Sequence, residues 1–171
     1  MPKMSASEAF VETLIAQGVK DVFGIVGSAY MDALDLFPAA GIRFIPVAHE
    51  QGAAHMADGY ARATGKPAVV LVTSGPGAGN TVTGIMTAQM DSVPMIVLCG
   101  QQVTWMLGKD AFQEADIFNI TSPVVKHNFL VKSSNALPRI AREAYHIATT
   151  GRPGPVPEDR VGKRVVPRNR R

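Results

Sequence analysis

The 171-residue chain carries 17 Lys and Arg against 14 Asp and Glu, a formal charge of +3 at pH 7, and 46% of its residues are apolar. That length and apolar content describe one folded domain with a core and exclude a chain disordered throughout. Six of the basic side chains crowd into residues 160–171 without an acid, leaving 11 basic against 14 acidic in residues 1–159, so the body lacks the basic face of a nucleic-acid binder.

The single cysteine, Cys99, follows an apolar run and has no partner for a disulfide, which reads as a buried spectator thiol in a reducing compartment. The N-terminus shows no cationic start followed by an apolar stretch, and no apolar run approaches the ~20 residues of a membrane span. A soluble, cytoplasmic protein is the expectation.

Helix-period and strand-like segments alternate along the chain, the pattern of a parallel sheet covered on both faces. The first helix is expected over residues 7–17, with Phe10, Leu14 and Val11 on one stripe, Ser5 or Ser7 as cap and Gly18 as stop. A short strand over 21–26, a helix over 30–37 and a strand over 43–47 follow. Residues 51–64 form an Ala-rich helix closed by Gly65. The nearly unbroken apolar run 68–73 reads as a central parallel strand. A helix over 81–91 carries Ile85, Ala88 and Gln89 on one face, and Pro94 introduces a strand over 95–99.

Residues 100–109 have no clear period. A short helix over 113–118, an outer strand over 124–131 and a helix over 135–149, with Leu137, Ile140, Ala144 and Ile147 inward, complete the pattern. After Gly151-Arg152-Pro153-Gly154-Pro155-Val156 the text turns to Pro157-Glu158-Asp159 and then basic residues. Residues 1–156 are therefore expected to form the domain and 157–171 a basic, disordered tail.

Three segments carry chemistry. Glu50, in the run His49-Glu50-Gln51-Gly52-Ala53-Ala54-His55, stands where a strand delivers a carboxylate to the mouth of a helix, whose N–H groups favour negative charge. A lone glutamate there could simply stabilise the helix dipole. Gly75-Pro76-Gly77-Ala78-Gly79-Asn80 joins a buried strand to a helix and could cradle a phosphate or merely make the turn. It lacks the third glycine of the dinucleotide pattern and the Lys-Ser/Thr of a P-loop. His49 and His55 do not have the His-Glu-x-x-His spacing of a zinc helix, and His55 reads as a packing residue. No serine occupies a nucleophile elbow.

Taken in order with Phe23-Gly24-Ile25-Val26-Gly27-Ser28-Ala29, these segments resemble the N-terminal pyrimidine-binding domain of thiamine diphosphate enzymes, in particular acetolactate synthases, over residues 5–156. The resemblance implies a three-layer α/β/α sandwich around a mainly parallel sheet. It implies that Glu50 hydrogen-bonds a ring nitrogen of the cofactor's aminopyrimidine, and that Pro76 and Asn80 line that pocket. Gly27, Ser28 and Ala29 match a loop that faces the reacting carbonyl, with Ser28 standing where acetolactate synthases usually have glycine. Lys109-Asp110-Ala111-Phe112-Gln113-Glu114 matches a subfamily signature that places Phe112 near flavin and substrate and Gln113 at the active centre; by itself Phe112 reads as core. Lys126 matches a position at the substrate channel, though by itself it reads as a solvated lysine.

The implied reaction is decarboxylation of pyruvate with transfer to a second 2-oxo acid. Residues 20–62 look closest to sulfoacetaldehyde acetyltransferases, so the acceptor stays open. Mg²⁺ and the diphosphate are held in such enzymes by a Gly-Asp-Gly and Asn signature in a separate domain, which this sequence lacks, and FAD stays open too. A homodimer or tetramer, or a full-length partner subunit, would complete the site. Where relatives continue into a further apolar strand, this chain is expected to lack it, leaving an unpaired sheet edge and little turnover alone. A noncatalytic interaction domain and a simple nucleotide-binding module are the rival readings.

Overall fold

The computed structural model describes residues 4–162. Six parallel strands form one sheet in the order β2-β1-β3-β4-β6-β5, from β1 (Asp21–Gly24), β2 (Arg43–Pro46), β3 (Ala68–Val72), β4 (Met95–Val103), β5 (Phe129–Val131) and β6 (Pro155–Gly162). Alternate strand residues face opposite layers, as the two-residue period of a strand requires. Val22, Val69, Leu71, Ile96, Leu98 and Val156 pack on α1 (Ala6–Ala16) and α7 (Leu137–Thr149). Phe23, Val70, Val72, Met95 and Val97 pack on α3 (Glu50–Thr64) and α5 (Val82–Met90). This is the expected three-layer α/β fold. No helix among the described residues is long and apolar enough to cross a membrane.

Local chemistry explains most boundaries. Ser5 caps α1 in a reciprocal box with Glu8, the Ser5 N–H donating to Glu8 Oε2 at 2.6 Å and the Glu8 N–H to Ser5 Oγ at 3.2 Å. Gly65 ends α3 in the left-handed conformation, φ +69°. Ala53, Ala57 and Ala61 present a flat face that lets α3 lie close to the sheet.

Four expectations are corrected. The helix expected over 30–37 shrinks to α2 (Met31–Leu34), because Leu36 and Phe37 donate to carbonyls only three residues back and tighten the chain out of α-geometry. The helix expected over 113–118 is displaced to α6 (Ile117–Thr121). Gln113 sits at φ +57°, which no α-helix accommodates, and Asp116 caps the later start by accepting the Asn119 N–H at 3.1 Å. The strand expected over 124–131 contracts to β5, still at the sheet edge. The fourth correction is the largest: the strand expected to be missing is present. β6 runs past Val156 through residues placed in the tail and lies between β4 and β5, so it is an interior strand and not an absent edge. The long β4 supplies a template that continues beyond Cys99 to Val103, and backbone pairing carries Pro157, Glu158 and Asp159 into the sheet despite their poor strand propensity. The rest of the expected tail, residues 163–171, lies outside the described residues.

Candidate active site

Parallel strands place all their carboxyl ends on one side, and the loops leaving those ends form the natural crevice of an open α/β sheet. β1 leads into Gly27-Ser28-Ala29, β2 into Glu50, β3 into Gly75-Pro76-Gly77, and β4 toward the 108–114 loop. Each loop brings one of the segments singled out in the sequence to the same edge.

Glu50 opens α3, half-buried, with His49 as its cap: His49 Nδ1 accepts the Gln51 N–H at 3.2 Å. That bond occupies one imidazole nitrogen, and among the described residues no group of three or more His, Cys, Asp or Glu could hold a metal ion. His55, expected to pack, is exposed on α3. It stands in the first turn of a 15-residue helix, where the helix dipole attracts negative charge.

Asn80 Nδ2 donates to Glu50 Oε2 at 3.0 Å. The other oxygen, Oε1, faces Gly77: a Cβ built there would stand 3.2 Å from it and 2.9 Å from Thr73 Cγ2. Glycine at 77 thus keeps the carboxylate's second side open, and Oε1 has no hydrogen-bond partner among the described residues. Gly75 adopts φ +53°, and a side chain there would collide with the Gln113 carbonyl oxygen at 2.1 Å. The turn after β3 and the Gln113 backbone are therefore in close contact.

The Gly27 loop lies over the ends of β3 and β4. A Cβ on Gly27 would meet Thr73 Cβ at 2.8 Å, and one on Gly100 would meet Ala29 Cβ at 2.6 Å. Tyr30 locks this loop from beneath, its hydroxyl donating to the Ile25 carbonyl at 2.8 Å. Burial raises the Tyr30 phenol well above its ordinary range, with Cys99 and the Glu50 charge adding to the effect, so it stays a donor. Neither Tyr30 nor Thr73 stood out in the sequence as a site residue, because a tyrosine at a helix start and a threonine after an apolar strand are ordinary in any α/β domain. Cys99 is buried, and burial with the Asp159 and Glu158 charges pushes its thiol up, which keeps it an inert thiol.

Glu114 shapes the remaining loop by accepting the N–H groups of Gly108, Lys109 and Ala111. Phe112, read by itself as core, is corrected: it is 79% exposed, because this closed loop turns it outward beside the site. Gln113 is exposed next to Gly75. Pro76, Ser28 and Ala29 line the exposed rim.

Lys126 is not brought to this group. Its backbone N–H donates to Pro155 O at 3.0 Å, at the start of β6, and its ammonium caps the Ile147 and Thr150 carbonyls at the end of α7. It is thus neither beside Glu50 nor a freely solvated lysine. It lies at the opposite end of the sheet.

The residues present suit an aminopyrimidine: a glutamate fixed on one oxygen, open on the other, and flanked by glycines that leave room for a flat ring. The comparisons with known proteins identify the family. The family described as "Thiamine pyrophosphate enzyme, N-terminal TPP binding domain" matches residues 4–120. Over 160 residues, 93% of the chain, it is 54% identical to the acetolactate synthase isozyme 3 large subunit of Escherichia coli (strain K12) and 52% identical to the acetolactate synthase large subunit of Haemophilus influenzae. It is 48% identical over 157 residues to the acetolactate synthase large subunit IlvB1 of Mycobacterium tuberculosis. The chain spans 28% of the length of the first two relatives and 25% of the third. This chain belongs to the thiamine pyrophosphate enzymes, as their N-terminal TPP-binding domain.

Proposed function

We propose that the chain supplies the aminopyrimidine half of an acetolactate synthase active site, with Glu50 as the group that touches the cofactor ring. Thiamine diphosphate, when bound, supplies the electron sink for decarboxylating a 2-oxo acid and transferring the remaining fragment. What this chain contributes is a carboxyl group that exchanges a hydrogen bond, and with it a proton, at a ring nitrogen. Asn80 holds Oε2, so Oε1 is directed to that nitrogen, and the bond strengthens once a completing partner covers the crevice and excludes water. The Gly27-Ser28-Ala29 backbone and Gln113 bound the space above the ring and position the acceptor. The hydroxymethyl of Ser28 narrows that space, which keeps a sulfoacetaldehyde acetyltransferase-like acceptor as the alternative substrate. In this reading pyruvate is the donor, the product feeds branched-chain amino acid synthesis, and Mg²⁺ is held with the diphosphate by a separate domain. Phe112 meets substrate or FAD at the rim.

A partner fits the same geometry. Val26, Met31, Trp105 and Phe112 are exposed apolar side chains on the segments that leave the carboxyl ends of β1 and β4, at 59%, 52%, 65% and 79% accessibility. Apolar surface gathered around a site invites cover by another domain or subunit, which supports a homo-oligomer or a full-length subunit as the completing partner. A pure interaction domain would keep that surface without needing Glu50.

The contact between Glu50, Asn80 and Gly77 carries the reading, and calorimetric titration of the chain with thiamine diphosphate and Mg²⁺, beside Glu50→Gln, tests it. We expect saturable binding that weakens at least tenfold in the variant. Equal binding by both proteins would refute the role of Glu50, and no heat from a folded protein would favour the interaction domain.

A further inference from the structure

The segment that brings Gln113 to the crevice has an uncommon backbone. Asp110 and Gln113 both take positive φ, +50° and +57°, although neither is glycine. L side chains rarely adopt that region, because the Cβ crowds a neighbouring carbonyl. A residue stays there only where its surroundings over-determine it. Glycine at 113 would reach the same angle without strain but would present no side chain.

Both peptides that flank the Gln113 Cα are held. The Phe112 carbonyl, in the peptide before it, accepts from Gln102 Nε2. The Gln113 carbonyl, in the peptide after it, sits over Gly75, where a Cβ would come within 2.1 Å of the oxygen. Two residues on, the Ala115 carbonyl accepts from Gln101 Nε2 at 3.1 Å. Gln101 is itself fixed: it is 5% exposed, donates also to Asp159 Oδ2 at 3.1 Å, and accepts the Gln102 N–H on its Oε1 at 2.9 Å. Both glutamines stand at the carboxyl end of β4, so the sheet is the rigid part from which the loop is gripped. The Glu114 carboxylate closes the loop through the N–H groups of Gly108, Lys109 and Ala111. Those bonds leave the orientation of the peptide between Phe112 and Gln113 to Gln102.

We propose that Gln102 is a positioning residue: its side-chain amide fixes the peptide before Gln113, holds that residue in the left-handed conformation, and so keeps the Gln113 side chain at the rim of the Glu50 crevice. The inference rests on the part proposed for Gln113 beside the cofactor ring, and deepens it. Without the Gln102 amide, the peptide between Phe112 and Gln113 is free to rotate, which relieves the positive φ and swings the Gln113 side chain away.

Nuclear magnetic resonance of the full chain tests this in two steps. A positive φ brings the amide and α protons of one residue together, so Gln113 in the cofactor-free chain should show a strong intraresidue NOE. We expect that NOE to fall at least twofold in Gln102→Leu, which keeps the bulk and removes the donor, and to stay unchanged in Glu50→Gln. Gln102→Ala carries the same test should the leucine variant disturb the fold, which the amide shifts of residues 68–72 report. In the second step thiamine diphosphate and Mg²⁺ are added, and the shift of the Gln113 side-chain amide at saturation should be at least halved in Gln102→Leu, a change that lost stability alone would not produce. A weak Gln113 NOE in the parent chain, an NOE unaltered by loss of the Gln102 amide, or an equal cofactor-induced shift in parent and variant would overturn the proposal. Absence of any cofactor-induced shift in the parent would instead count against the Glu50 reading, and the cofactor-free NOE then decides the role of Gln102.

Discussion

β3 and β6 flank the same strand, β4, in the same parallel sense, yet they are built from opposite materials. All five residues of β3, Ala68-Val69-Val70-Leu71-Val72, are buried and apolar. In β6, Pro155, Val156, Pro157, Glu158 and Asp159 pair with Met95 to Cys99 of β4, and of its two acids Glu158 is 0% and Asp159 3% exposed. β3 is a strand because its side chains demand burial on both faces, each contributing about 1.5–3 kcal/mol for a large apolar group. β6 is a strand because an interior position in the sheet satisfies its backbone, while its side chains carry a cost. The difference teaches that backbone pairing can impose a strand on a segment whose composition argues against one, and that the cost should appear as a dependence on pH.

The largest expected effect comes from breaking the apolar strand. Leu71→Ala should lower stability by about 2–5 kcal/mol through lost burial and a residual cavity in the buried cluster that includes Phe10, Leu14 and Leu98, read as a shift in the urea midpoint. A loss below 1 kcal/mol would mean that the sheet centre is not packed as described.

The next effect belongs to β6. Burial raises the Asp159 carboxyl to about 6 from 3.8, the hydrogen bond from Gln101 Nε2 at 3.1 Å pulling the other way and the Asp116 charge adding to the rise. Its Oδ1 has no hydrogen-bond partner among the described residues. The folded-state value lies above the unfolded one, so the fold holds the proton more tightly. Below about pH 4 both states are protonated and the carboxyl costs least. Between about pH 4 and 6 stability falls as pH rises, and above pH 6 the full cost of about 3 kcal/mol stands. Asp159→Asn should therefore match the parent chain near pH 4 and exceed its stability by up to about 3 kcal/mol at pH 7. Parallel stability profiles for the two proteins across that range would remove Asp159 as the source.

The smallest effect concerns how the chain enters β6. Lys126 holds the carbonyl end of α7 with its ammonium and the Pro155 carbonyl with its backbone N–H. Lys126→Met retains the stem and the backbone bond but loses the charge at the helix C-terminus, for which about 1 kcal/mol is expected. Thermal melts should show that loss, and a purely solvated lysine would show none.

Much of the molecule is legible in its residue pattern. The alternation of helix and strand periods, the apolar run of β3, a cap at Ser5 or Ser7 and a helix end at Gly65, and the order of segments around Gly27, Glu50 and Gly75 were all written in local residue patterns. They depend on neighbours within a turn or a strand. What local pattern could not supply was anything set by contact at long range. Phe112 reads as core because it is large and apolar, but the Glu114 carboxylate closes its loop and turns it to solvent. Lys126 reads as a surface charge, but the end of α7 lies beside it only after folding.

The sequence alone therefore determined the α/β class, the family resemblance and the glutamate on which the functional reading rests, since each is carried by short ordered motifs. Only the tertiary structure decided that Asn80 and Gly77 frame that glutamate, that Tyr30 braces the Gly27 loop, and that Glu158 and Asp159 belong to an interior strand. Those outcomes follow from which strand edges and side chains meet across the sheet, and no window of consecutive residues contains that information.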